Sequence, residues 1–215
     1  MLTKRFARVA QRLERLIHIQ EVPGSNPGTR IMKKTIIIHG YRSYPQDCWF
    51  PWIKKELNNR GVKVLIPQMP NPARPKKQSW VNKLKKVAGK IDENTVFVGH
   101  SLGVITILRF LETLERKQKI GGAISVAGRI VKRKTFHPLN HFFTPPLQWK
   151  KIKDRGKFVG IYSYDDPVVS LRDGKEFKKN LNAKLIIEKN KGHFSREDKV
   201  FKLPSLLKAI SDILS

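Results

Sequence analysis

VFVGHSLGVITIL, residues 96–108, joins a run of β-branched and aromatic residues to a second apolar run through the pentapeptide GHSLG. The first run has the composition of a buried strand, and the second is typical of a helix. A serine at such a junction lies on a sharp turn, where the backbone is strained and the hydroxyl is exposed. Gly99 and Gly103 leave room for the close chain packing of that turn. The stretch therefore predicts an α/β fold in which Ser101 is a candidate nucleophile.

The same alternation of apolar strand-like runs and amphipathic helix-like runs continues through residues 34–215. Strands separated by helices predict a mostly parallel sheet with helices on both faces. We therefore expect one compact, doubly wound α/β domain. The predicted strands are 34–40, 62–67, 95–99, 120–128, 157–163 and 184–189, and the predicted helices are 49–61, 79–91, 102–118 and 205–214.

The aromatic and proline-rich stretch 130–156 departs from this alternation. It follows the end of a predicted strand, and ligands of α/β sheets bind at the carboxyl ends of strands. The stretch therefore either borders a pocket or packs its aromatic side chains on its own domain. The sequence leaves both interpretations open.

Residues 1–31 form a leader outside the predicted domain, which spans 32–215. Apolar residues at steps of three and four, surrounded by basic residues, predict an amphipathic helix that fits an organellar presequence. The stretch also resembles an in-frame translation of a bacterial transfer-RNA gene, because GSNP at 24–27 is what a common T-arm sequence would encode. We favour a start codon assigned upstream of a natural start at Met32.

The composition limits the cellular setting more than it identifies a partner. The chain of 215 residues has 44 Lys and Arg against 17 Asp and Glu, a formal net charge of +27. Such a charge attracts nucleic acid or acidic surfaces, but the basic residues are spread along the whole chain without a nucleic-acid-binding motif. No apolar run approaches the ~20 residues of a membrane span. With Cys48 as the one cysteine, we expect a cytoplasmic protein.

A nucleophilic serine requires a histidine as base and an acid that orients it, in the chain order Ser, acid, His for this fold. His193 follows the last predicted strand and is the candidate base. Asp165 and Asp166 both follow the strand 157–163. The spacing of Asp166 from the strand end favours it as the acid, and Asp165 is the alternative.

Two main-chain N–H groups are candidates for stabilising an oxyanion. One belongs to Leu102, directly after the serine, and the other belongs to Tyr41 in the loop after the first strand. His137 and His141 lie four residues apart but lack a third ligand, so we predict no metal site and no cofactor.

Several motifs in this order resemble those of the YdeN-like small α/β-hydrolases, a serine hydrolase family that also contains the retinoblastoma-binding hydrolase. The motifs are IIIHGYRSYPQDCWFPWIKKELNNRGVKV, MPNP, GHSLG, ILRFLE, SYDDPVV and KGHF. The resemblance covers nearly all of residues 34–215. It implies an α/β-hydrolase fold without a large cap domain, and a catalytic triad of Ser101, Asp166 and His193.

Residues and resemblance together predict a carboxylesterase-like serine hydrolase that cleaves a small ester or related acyl compound. The alternative is a binding module that keeps the hydrolase fold for a protein or polyanion partner.

Overall fold

Six parallel strands form the centre of the computed structural model, which describes residues 32–132 and 137–215. The strands are β1 (Lys34–Ile38), β2 (Lys63–Leu65), β3 (Thr95–His100), β4 (Gly122–Val126), β5 (Lys157–Ser163) and β6 (Lys184–Glu188). Their order across the sheet is β2-β1-β3-β4-β5-β6. The strand order therefore changes direction between β1 and β3, and ligands of α/β sheets bind at such a switch point.

Helices cover both faces of this sheet. Successive side chains of a strand point to opposite faces, so Ile36 and Ile38 pack in one apolar cluster and Ile37 packs in the other. The helices are α1 (Phe50–Asn58), α2 (Lys77–Ala88), α3 (Leu102–Glu112), α4 (Trp149–Ile152), α5 (Leu171–Leu181) and α6 (Pro204–Leu214), with a 3-10 helix at His137–Phe143. The first cluster contains residues of α2, α3 and α5, and the second contains residues of α1 and α6.

The predicted parallel α/β architecture is confirmed, and the described residues belong to a single unit, Met32–Ser215. No helix among the described residues is long and apolar enough to cross a membrane. The leader 1–31 and residues 133–136 lie outside the described residues, and so does the predicted leader helix.

Helix α3 ends at Glu112 instead of residue 118, because a distant side chain takes up the following carbonyl groups. The guanidinium group of Arg155 is buried and lies beside this segment. It donates hydrogen bonds to the main-chain carbonyl oxygens of Leu114, Glu115, Arg116 and Gln118. These carbonyls consequently need no helical N–H partners, and the chain turns away.

Helix α5 was not among the predicted helices, since its sequence LRDGKEFKKNL is mostly polar with a glycine near its middle. Tertiary packing explains that glycine, because a Cβ at Gly174 would lie 2.8 Å from the Tyr162 ring. The buried carboxylate of Asp173 accepts N–H hydrogen bonds from Ile130 at 3.0 Å and Val131 at 2.9 Å. The helix is therefore fixed by its neighbours rather than by local propensity.

The stretch 130–156 combines the two interpretations that the sequence left open. Leu139, Phe142 and Phe143 are buried in the cluster that includes α3. Phe143 also borders, together with Trp149, a cavity of about 290 Å³. The stretch therefore packs on its own domain and forms one wall of a small cavity.

Candidate active site

The turn between β3 and α3 holds Ser101 in a left-handed backbone conformation, with φ 52° and ψ −114°. Glycines on both sides allow the chain to pack closely there. A Cβ at Gly99 would lie 2.6 Å from the Val104 nitrogen, and one at Gly103 would lie 2.1 Å from the Ile38 carbonyl oxygen. Neither position has room for a side chain. The geometry is the strained strand-to-helix turn that presents a serine hydroxyl at the edge of a sheet.

The imidazole of His193 is hydrogen-bonded to the carboxylate of Asp166. Nδ1 lies 2.9 Å from Oδ2 and 3.1 Å from Oδ1. The carboxylate is itself held by N–H groups of Val168 at 2.7 Å and Val169 at 2.8 Å. A carboxylate oxygen accepts hydrogen bonds, so the contact matches the ring tautomer with its proton on Nδ1. In that tautomer Nε2 has the lone pair that a general base requires.

Asp165, the alternative acid, contacts the main chain instead of the ring. Its carboxylate accepts hydrogen bonds from the N–H groups of Lys191 at 3.3 Å and Gly192 at 3.1 Å. The hydroxyl of Ser163 also donates to it and lowers the pKa of Asp165. The two adjacent carboxylates therefore have separate partners: Asp166 holds the imidazole, and Asp165 holds the loop before it.

Ser101 and His193 line one cleft of about 440 Å³. Among the described residues, the Ser101 hydroxyl makes no hydrogen bond, and hydrogen bonds of this kind commonly form only in the substrate complex. The charged residues of the cleft walls are of both signs, with Arg42 and Arg196 against Asp47 and Glu197. A larger cavity of about 690 Å³ is lined by the first residues of β5 and β6, at the amino ends of these strands. The volume of a cavity alone therefore does not identify the active site.

The two candidate oxyanion donors belong to segments that adjoin the serine. Leu102 is the first residue of α3, so its N–H has no acceptor within the helix. The loop that contains Tyr41 packs closely on the serine one residue earlier, because a Cβ at Gly40 would lie 3.1 Å from the Ser101 Cβ. His39 fixes this loop: its Nδ1–H donates to the Gly40 carbonyl at 2.9 Å, and its Nε2 accepts the Met69 N–H at 3.0 Å.

No group of three or more histidine, cysteine or carboxylate side chains among residues 32–132 and 137–215 is arranged to hold a metal ion. Within the cleft, Cys48 is buried and its pKa is raised to about 12, mainly by burial. It is therefore a thiol at neutral pH and a poor nucleophile. Ser101, on its strained turn, and His193, paired with Asp166, are the candidate nucleophile and base of this cleft.

The profile of the serine hydrolase family matches residues 35–212 of this chain. The chain belongs to that family. This serine hydrolase is 34% identical over 184 residues to the YdeN hydrolase of Bacillus subtilis (strain 168), covering 85% of this chain and 97% of YdeN. It is 29% identical over 154 residues to the serine hydrolase RBBP9 of Rattus norvegicus, covering 70% and 80% of the two chains. The resemblance inferred from the motifs is confirmed.

Solved structures show the same fold. The crystal structure of YdeN from B. subtilis superposes on this serine hydrolase with a TM-score of 0.81, covering 85% of this chain and 98% of YdeN. Est1E from Butyrivibrio proteoclasticus has a TM-score of 0.61 at 17% identity, covering 85% and 87% of the two chains. At that identity the likeness concerns the fold alone.

Two residues that contact the His193 loop were not identified as site residues from the sequence of this serine hydrolase. The ring Nε2–H of His100 donates to the His193 carbonyl at 2.8 Å. The carboxylate of Asp198 accepts the His193 N–H at 2.8 Å. The Ser195-x-x-Asp198 spacing, typical of local side-chain to main-chain hydrogen bonds, could have indicated the second contact. Nothing in the local sequence indicates the first.

Proposed function

We propose that this chain is a carboxylesterase-like serine hydrolase, which cleaves a small ester or related acyl compound. The observation that supports it best is the 2.9 Å contact between His193 Nδ1 and Asp166 Oδ2, beside the strained Ser101 turn in one cleft. The cleft of about 440 Å³ lies in the range of small-molecule sites.

In the proposed reaction, His193 Nε2 takes the hydroxyl proton of Ser101 as the serine oxygen attacks the acyl carbon. The N–H groups of Tyr41 and Leu102 stabilise the oxyanion, and Asp166 stabilises the imidazolium that forms. His193 then returns the proton to the leaving alcohol. Water, deprotonated by the same imidazole, then attacks the acyl carbon. The bond to the Ser101 oxygen breaks, the imidazolium returns the proton to that oxygen, and the acid is released.

A fluorophosphonate probe tests the proposal without knowledge of the substrate, because it modifies an activated serine. We expect labelling of the wild-type chain that disappears in Ser101→Ala. A panel of p-nitrophenyl esters of graded chain length then measures the preferred acyl group. Ser101→Ala and His193→Ala should each lower hydrolysis by at least ~10³-fold, since triad residues act as a unit.

The same experiment separates the proposed enzyme from a hydrolase-fold binding module. A folded wild-type chain that neither labels nor hydrolyses any ester would contradict the proposal. Circular dichroism of each variant serves as the control for folding.

A further inference from the structure

The carboxylate of Asp198 accepts three hydrogen bonds from the loop that carries His193. Its Oδ2 lies 2.8 Å from the His193 nitrogen, 3.1 Å from the Ser195 nitrogen and 2.7 Å from the Ser195 hydroxyl oxygen. The N–H of Asp198 donates back to that hydroxyl oxygen at 3.3 Å. These contacts are to the main chain of the candidate base and to Ser195, whereas Asp166 contacts the ring.

The backbone around His193 has a shape that the local sequence does not favour. Gly192 and Phe194, on either side of it, have φ values of 47° and 55°. A residue other than glycine in this region costs about 1 kcal/mol or more, and such a conformation persists where its surroundings hold it. Phe194 is fully buried, and the N–H groups of His193 and Ser195 are satisfied by Asp198. The carboxylate thus stabilises the strained loop.

The carboxylate also occupies the space next to Gly192. A Cβ at this position would lie 2.1 Å from Asp198 Oδ1. Any side chain at residue 192 would therefore displace the carboxylate from the loop. This close approach gives a second way to disturb the contact without changing Asp198 itself.

Asp198 is ionised at neutral pH. Burial alone would raise the pKa of its carboxyl group, but the hydrogen bonds from Ser195 and from the His193 N–H outweigh burial and hold the pKa below its ordinary value. Hydrogen bonds to a charged acceptor are shorter and stronger than those between neutral groups. The loop is therefore held by charge-assisted hydrogen bonds.

We propose that Asp198 is a positioning residue, which fixes the main chain of His193 so that the imidazole faces Ser101. The inference rests on the proposed function, because it takes His193 as the general base. Two carboxylates then position the base: Asp166 orients the imidazole ring of His193, and Asp198 holds the backbone of the same residue. A displacement of about 1 Å in such a group costs about 10²-fold in rate.

The test compares Asp198→Ala with Asp198→Asn in the full chain. The measured quantities are the second-order rate of fluorophosphonate labelling at Ser101, and kcat and KM for a p-nitrophenyl ester. Asp198→Ala should lower the labelling rate and kcat by about 10- to 100-fold, with KM changed less than about threefold. Asp198→Asn should stay within about threefold of wild type, since its amide oxygen still accepts the two N–H groups.

Hydrogen exchange provides a readout that does not depend on activity. The amides of His193 and Ser195 should exchange faster in Asp198→Ala, and stay protected in Asp198→Asn. Asp212→Ala is the matched control, because this exposed carboxylate pairs with Lys208 on α6 instead. Should Asp198→Ala fail to fold, Gly192→Ala should displace the carboxylate, speed exchange of the His193 and Ser195 amides and lower kcat. Gly61→Ala, also at positive φ but facing open space, is the control for backbone strain and should do neither.

The outcomes separate the two proposals. A wild-type chain that does not label contradicts the proposed function, while the exchange rates still report whether Asp198 holds the loop. A wild-type chain that labels, with Asp198→Ala labelling equally fast, overturns the positioning role. An equal loss in Asp198→Asn and Asp198→Ala also overturns it, because an oxygen that accepts the same two N–H groups would then not preserve the rate.

Discussion

At the scale of single residues, one step along the chain decides which carboxylate meets the imidazole. Asp165 and Asp166 both follow β5, and the sequence favours Asp166 only through its spacing from the strand. In the structure the Asp166 carboxylate lies 2.9 Å from His193 Nδ1, and that of Asp165 accepts main-chain N–H groups. The catalytic role of Asp166 stays a prediction, which the contact with the imidazole supports.

Asp166→Asn should lower kcat by about 10³- to 10⁴-fold, because an amide favours the wrong tautomer of His193. Asp165→Asn should cost no more than about tenfold, since its amide oxygen still accepts from Ser163 and Lys191, and only the acceptor of the Gly192 N–H is lost. Hydrolysis of a p-nitrophenyl ester measures both. The reverse ranking would assign the orienting role to Asp165.

His100 links the stability of the fold to pH. Burial, and then the neighbouring His193, lower the pKa of His100 to about 3, whereas a histidine in the unfolded chain titrates near ~6.5. Below pH ~6.5 His100 is protonated in the unfolded chain but not in the folded chain. The free energy of unfolding therefore decreases as the pH is lowered from ~6.5 to about 3, by about 1.4 kcal/mol for each pH unit.

His100→Gln should remove this dependence, because glutamine does not titrate in the window and its amide N–H can still donate to the His193 carbonyl. Urea unfolding at pH 7.5 and pH 5 measures the free energy of unfolding of both proteins. The wild type should lose about 2 kcal/mol more than the variant between these two pH values. Parallel losses would show that His100 is not the group responsible.

At the scale of secondary-structure elements, contacts with distant residues determine where α3 begins and ends. It begins directly after the strained Ser101, at a position where Gly103 lets the helix touch β1. It ends at Glu112 because the Arg155 guanidinium takes up the carbonyls that follow. The apolar pattern predicts the helix, but its bounds depend on packing.

Gly103→Ala should destabilise the fold by about 3 kcal/mol or more, because its Cβ would lie 2.1 Å from the Ile38 carbonyl oxygen. Gly61→Ala is the control. It faces open space at φ +73°, so only backbone strain of about 1–2 kcal/mol applies. Urea unfolding measures both losses. Equal losses would contradict the role assigned to close packing between α3 and β1.

At the scale of the whole molecule, neither the family match nor the described sheet includes residues of the leader 1–31. The match covers residues 35–212, and β1 begins at Lys34. Six of the 44 basic residues lie within residues 1–31, so most of the positive charge belongs to the domain. Attraction to polyanions stays a prediction of that charge, and we propose 32–215 as the domain.

A chain that begins at Met32 should keep the melting temperature and the labelling rate of the full chain. The reason is that the family match begins at residue 35 and the candidate catalytic residues all follow it. Thermal unfolding and fluorophosphonate labelling of both chains measure the effect. A melting temperature several degrees lower would show that residues 1–31 pack on the domain, and our interpretation of the leader would be wrong.

The sequence by itself determined the features that depend on neighbouring residues. Alternation of apolar runs predicted the parallel α/β sheet, and GHSLG at the junction of strand and helix placed Ser101 on a turn. The order of motifs placed His193 after the last strand. Such patterns are local, because backbone sterics and the burial of one face act within a few residues.

Only the tertiary structure decided the contacts between residues far apart in the chain. The mostly polar sequence of α5, interrupted by Gly174, was not predicted as a helix, and the end of α3 lies beside Arg155, a side chain from another segment. The hydrogen bond from His100 to the His193 carbonyl joins the end of β3 to a loop 93 residues further along the chain. Hydrogen-bond partners of this kind are chosen by distance and angle after the elements have packed, which no local pattern of residues encodes.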